Sequence, residues 1–178
     1  MINDYEATRP ITEDATIGSR LSTDDVISTL NGLIETCKDG QEGFTVAADG
    51  IGRSDLKALF HEFAQQRSQF AGELQTLVRS LGGDPEDGGS MAGSLHRGWI
   101  NIKSAVMGED ESTILNECER GEDSAKNAYK DALDEALPGN VLETVQSQYT
   151  AILAAHDRIK ALRDSSTGDR STTATTSY

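Results

Sequence analysis

The sequence predicts an all-α fold, a four-helix bundle with one long helical crossover between helices 2 and 3. Two observations carry that prediction. Apolar residues recur at intervals of three and four along four long segments, and no segment alternates as a half-buried strand would. The breaks between those segments are unequal: short at 49–53 and at Pro138-Gly139, long over 82–109.

Residues 1–20 have little apolar content and no period, and are expected to form a disordered arm. The folded domain is expected over 21–165. Ser22-Thr23-Asp24-Asp25 supplies an N-cap and first-turn acids. The first helix then follows over about 22–49, with Val26, Leu30, Leu33, Ile34, Cys37 and Phe44 on one face. Gly32, Gly40 and Gly43 weaken its propensity, which close approach of a neighbour would explain. After a turn at Asp49–Arg53, Ser54 is expected to cap a second helix over 54–81. Its stripe is Leu56, Leu59, Phe60, Phe63, Arg67, Phe70, Leu74, Leu77 and Val78.

The string GGDPEDGG (Gly82–Gly89) ends that helix through glycine and proline. A shorter helix is expected within 90–107. The third long helix spans 110–137, up to Pro138-Gly139. The fourth spans 140–164, with Val141, Val145, Gln148, Ile152, His156 and Ile159 on its stripe. Residues 166–178 are a Ser/Thr-rich tail, expected to be disordered. Short links imply two antiparallel hairpins, and one long connection between hairpins is the ferritin-like arrangement.

Charge narrows the function. Sixteen Lys and Arg against 30 Asp and Glu leave a formal net charge of −14, with a pI near 4.5. Such a surface repels nucleic acid and anionic lipid. No apolar run approaches the roughly 18 residues of a membrane span. The start, MINDYEATRP, lacks the apolar region of a signal peptide, so a cytoplasmic protein is expected. Cys37 and Cys118 are far apart and lack CxxC spacing; small, buried, reduced hydrophobes are expected.

The chemistry concentrates in Glu117–Tyr129, ECERGEDSAKNAY. Cys118, Glu122, Ala125 and Tyr129 share one face, so a carboxylate falls where a bundle expects an apolar residue. A buried carboxylate needs a cation, a metal or several donors. Arg67 falls on the apolar stripe of the second helix in the same way. Folding the hairpins about Ile51 and Pro138 brings Glu35, Arg67, Glu122 and His156 toward one polar layer. One reading is a structural ion-pair network in which Arg67 neutralises Glu122 and His156 caps it. The other is a degenerate site for Fe, Mn or Zn built from Glu119, Glu122 and His156, where an arginine would repel the cation. Asp157, next to His156, points about 100° away around a helix and is not expected to orient it. A second cluster, His96, Arg97 and Trp99, reads either as docking of the crossover onto the bundle or as a partner groove.

Three strings, GSMAGSLHRGW (Gly89–Trp99), ECERGED (Glu117–Asp123) with Tyr129, and HDRIKALRD (His156–Asp164), resemble a bacterial family of ferritin-like four-helix-bundle proteins of unknown function. The resemblance covers about residues 22–164. It implies the fold and no activity. Ferritin-like di-metal sites use Glu-x-x-His, but Ala58, Gly93 and Leu153 stand three residues before His61, His96 and His156. His61-Glu62 begins HExxH, yet Gln65 replaces the second histidine. The function expected is that of a non-enzymatic bundle without cofactor, acting through protein contacts with itself or another protein. The alternative is a metal-binding oxidoreductase or storage relative.

Overall fold

A computed structural model describes residues 21–86, 99, 101–108 and 110–172, with side chains placed as far as Ser166. Among the described residues the chain is helical, without strands: α1 (Thr23–Gly50), α2 (Ser54–Ser80), α3 (Ile102–Met107), α4 (Glu111–Leu133) and α5 (Gly139–Thr172). No helix among them is long and apolar enough to cross a membrane.

The helix ends follow local chemistry. The Ser22 hydroxyl accepts from the Asp25 amide at 3.1 Å, the expected N-cap. The expected cap at Ser54 does not form. Ser54 is the first helical residue, and Arg53 before it makes no side-chain cap. Its guanidinium donates instead to Asp55 at 2.6 Å and Glu111 at 3.1 Å. The helix α2 ends through Gly82 at φ 80°, a conformation that suits glycine. The helix α4 stops at Leu133, short of the expected 137. Leu137 lies buried in the core before Pro138, and a residue before proline is driven out of the helical region. The helix α5 runs on to Thr172, past the expected end at 164 and into the expected tail. The Ser166 hydroxyl lies 3.2 Å from the Glu111 carboxylate, which ties that extension to the start of α4. Residues 1–20 and 173–178 lie outside the described residues.

End contacts give the directions. Arg53 and Glu111 place the starts of α2 and α4 side by side. At the other end the Thr29 hydroxyl donates to Glu135 at 2.7 Å, and the Asn31 amide group donates to the Asp84 carbonyl at 3.1 Å. The start of α1 therefore meets the ends of α2 and α4. So α2 and α4 run parallel, α1 and α5 run against them, and the end of α2 and the start of α4 lie at opposite ends of the bundle. The hairpins α1–α2 and α4–α5 then pack through α1 on α4 and α2 on α5.

The core divides in two. One cluster holds Val26, Leu30, Phe70, Leu74, Tyr129, Val145 and Ile152. The other holds Phe44, Phe60, Trp99, Ile114, Leu115 and Ile159. Arg67, Glu122 and His156, which the sequence puts on inward stripes, are buried, and so is Glu119, which its spacing puts on a neighbouring face.

Candidate functional site

The centre of the layer is an ion pair. The Arg67 Nη2 donates to Glu122 Oε2 at 2.6 Å, and both side chains are 1% exposed. The Arg67 Nη1 donates to Gln66 at 3.1 Å, and its guanidinium lies 5.7 Å from the Phe70 ring centre. Its stem runs along Gly40, where an added Cβ would stand 3.3 Å from Cγ. The glycine therefore makes room for the arginine, one case of the close approach that the first helix's glycines suggest. Gly32, by contrast, meets nothing within 4 Å. Burial holds the Glu122 carboxyl above its ordinary value, against the opposing pull of Arg67 and His156. Glu35 is half-buried on α1 with its Oε1 shielded from water.

His156 does not cap Glu122. Its Nε2 lies 3.1 Å from Asp123 Oδ1 and 3.2 Å from Lys126 Nζ, and its Nδ1 lies 3.0 Å from Asp157 Oδ1. The Asp157 contact overturns the expectation from helix geometry. Neighbouring Cβ atoms diverge, but a rotated imidazole and a carboxylate both reach past that divergence. Asp123 in turn pairs with Lys126 at 2.6 Å. Burial raises its carboxyl, but Lys126 and His156 outweigh that and hold it below the ordinary value. Glu119 is buried and pairs with Arg163 on α5. Among the described residues, the donors grouped closely enough to hold a metal are Glu119, Asp123 and His156, whose ligand atoms lie within 4.8 Å of one another. Glu122 is committed to Arg67 and replaced by Asp123. The i,i+4 spacing of Glu119 and Asp123 was the available signal; the Asp123 position next to the conspicuous Glu122 hid it.

A second polar chain links all four long helices, and sequence reasoning missed it as a unit. The Cys37 sulfur lies 3.1 Å from the Tyr129 hydroxyl, which donates to Gln148 Oε1 at 2.7 Å. The Gln148 amide donates to Glu73 at 2.8 Å. Period alone marks these residues as core; it cannot say that their polar ends meet. Burial pushes the Cys37 thiol up to about 11, and burial, then the charge of Glu122, hold the Cys118 thiol well above its ordinary value. Both cysteines are free and buried, as inert thiols would be.

Of His96, Arg97 and Trp99, only Trp99 lies within the described residues. Its indole is wedged between α1 and α4: a Cβ at Gly43 would stand 2.1 Å from the ring and one at Gly121 2.2 Å. Phe44 meets it edge-on at 4.9 Å. A cavity of about 190 Å³ beside it is lined by Asp39, Glu42, Val46, Ile102 and Lys103.

A family model described as a domain of unknown function (DUF2383) matches residues 25–135, more than half of the chain. The matched span holds Arg67, Glu119, Glu122 and Asp123 and ends before α5, which carries Gln148 and His156. No curated protein matches the chain.

Proposed function

The chain belongs to this family, and from that premise we propose that it is a ferritin-like bundle, non-enzymatic, acting in the cytoplasm through contacts with other protein chains. A structural polar layer stands in place of the di-metal site. The parallel run of α2 and α4, with the long return between them, supports the ferritin-like reading. One observation carries the rest: a guanidinium lies 2.6 Å from the Glu122 carboxylate in the bundle centre, both 1% exposed. A cation already neutralises the carboxylate that a central metal would need. The acidic surface argues for protein partners over nucleic acid or anionic membranes.

Two measurements on the purified protein test this reading. Sedimentation velocity over a wide concentration range is expected to show self-association, the simplest protein contact. Aerobic addition of Fe(II) is expected to give oxidation at the buffer rate. Oxidation accelerated by the protein and lost in His156→Ala would replace this reading with the second one. That second reading, a metal-binding oxidoreductase or storage relative using Fe, Mn or Zn, is favoured by the Glu119–Asp123–His156 trio.

A further inference from the structure

We infer that Glu119, Asp123 and His156 form a mononuclear site for a divalent first-row metal ion, kept by the Lys126 ammonium until the metal displaces it. The inference deepens the second reading. It leaves the Arg67–Glu122 layer untouched, because Glu122 is not a ligand.

Four observations converge on it. The donors are chemically matched: two carboxylates and an imidazole suit Zn(II), Mn(II) or Fe(II). They come from two packed helices, Glu119 and Asp123 from successive turns of α4 and His156 from α5, so the scaffold fixes two sides of the site. Their donor atoms lie within 4.8 Å of one another, close enough for side-chain rotation to bring each to a bond length of about 2.0–2.2 Å. Glu119 and His156 are each only 8% exposed, which sets these two apart from surface groups, while the Asp123 side chain is 47% exposed and opens the site to solvent.

The surroundings of the imidazole add a second line of argument. Asp157 Oδ1 lies 3.0 Å from His156 Nδ1, where the carboxylate can accept that nitrogen's proton. The Lys126 ammonium, which only donates, lies 3.2 Å from Nε2 and fits the tautomer with its lone pair there. A carboxylate behind a ligating histidine is the usual means of fixing tautomer and ring orientation at metal sites. Lys126 Nζ reports where positive charge is favoured, because it lies 2.6 Å from Asp123 and 3.2 Å from His156 Nε2. An ammonium between those two atoms occupies the cation position itself. The Lys126 side chain is 27% exposed and can swing to solvent without breaking the core. Arg163 holds Glu119 from the α5 side and is likewise partly exposed. Displacing these cations weakens metal binding, so occupancy depends on the free metal concentration. Three protein donors leave coordination positions open for water.

The test is calorimetric titration of the full chain with Zn(II) after chelator treatment and dialysis, with Co(II) absorption as a check on ligand type. The wild type is expected to bind one Zn(II) per chain. Lys126→Met keeps the stem and removes the competing charge, and is expected to bind more tightly. Asp157→Asn is expected to bind about 10- to 100-fold more weakly, and His156→Ala not at all at this site. The Asp157 side chain is 78% exposed, so its variant keeps the fold even where His156→Ala does not. Unchanged or weaker affinity in Lys126→Met overturns the inference. So does full affinity in Asp157→Asn, or absence of binding in both the wild type and Lys126→Met. None of these outcomes touches the Fe(II)-oxidation or self-association results.

Discussion

Arg67 and Glu122 show how much one buried pair can fix. With both side chains 1% exposed, Arg67→Ala leaves a carboxylate in the core without its cation. The expected cost is about 3–5 kcal/mol, read as a lowered midpoint in urea. Replacing both with apolar residues of similar volume (Arg67→Met with Glu122→Leu) is expected to cost far less. An additive cycle would show that the pair is not coupled. The same site gives a pH signature. The native Glu122 carboxyl is held above its ordinary value, mainly by burial. Over the window between the ordinary and the raised value the native state therefore binds more protons than the unfolded state. Stability contributed by this group is lost as pH rises through that window. Glu122→Gln is expected to gain melting temperature relative to the wild type across mildly acid pH, with a flat difference on either side. Asp123, held low, acts oppositely: its contribution is present above the ordinary carboxylate range and fades as pH falls through its depressed value. Tyr129→Phe removes the donor to the buried Gln148 Oε1. The expected loss is about 1–3 kcal/mol, for an unsatisfied buried acceptor.

At the scale of elements, Trp99 carries the attachment of the crossover. The slot that receives it exists because positions 43 and 121 lack a Cβ; a methyl at either would stand 2.1–2.2 Å from the ring. Gly43→Ala and Gly121→Ala must therefore displace the indole, with an expected cost of about 1–3 kcal/mol from overpacking. Both also replace glycine with alanine in helices, which favours the helix by up to about 1 kcal/mol and partly masks the loss. Fluorescence separates the two effects, since Trp99 is the one tryptophan of the chain. Emission is expected to be blue-shifted in the wild type and to move red in either variant, whatever the melting point does. Unshifted emission would mean that the slot tolerates the methyl. Further along the crossover, α3 meets the end of α1 in the same way, with Val106 lying over Gly50. Glycines on α1 and α4 thus serve as seats for residues of the crossover.

For the whole molecule, the governing quantity is charge. A chain with a net charge of −14 repels itself when folded compactly. The ion pairs on the surface, such as Arg53–Asp55 and Lys130–Asp134, are exposed and weak. Salt screens the long-range repulsion within about 10 Å at 0.1 M. The melting temperature is therefore expected to rise between low and moderate NaCl, and the central pair, sheltered from ions, is not expected to weaken. A fall in melting temperature over that range would show that surface pairs outweigh the net repulsion. The two apolar clusters on either side of the polar layer give the bundle its register: sliding one hairpin by a turn would bring Arg67 or Glu122 into an apolar cluster without its partner.

The all-helical character and the hairpin order were legible in the sequence, because helix period and turn residues act over a few neighbours. Val26, Leu30 and Phe44 on one side and Leu56, Phe60 and Leu74 on the other mark the buried faces directly, since burial of a face is written into its spacing. The same spacing placed Arg67 and Glu122 inside. It also offered their pairing, which the structure shows. It could not say that Asp123, one residue on, would take His156 in place of Glu122. That choice depends on how α4 and α5 are rotated against each other, which no local pattern encodes. The Tyr129–Gln148–Glu73 chain and the Trp99 slot are likewise products of four helices and a crossover meeting at particular depths. The extent of α5 past 164 was hidden for a different reason: a Ser-rich stretch has weak intrinsic preference, and its first turn is held by the contact of Ser166 with Glu111. Sequence determined which faces turn inward, because hydrophobicity is a property of each residue alone. Tertiary structure decided which polar groups pair there, because hydrogen bonds and ion pairs depend on distances of a few tenths of an ångström between residues far apart in the chain.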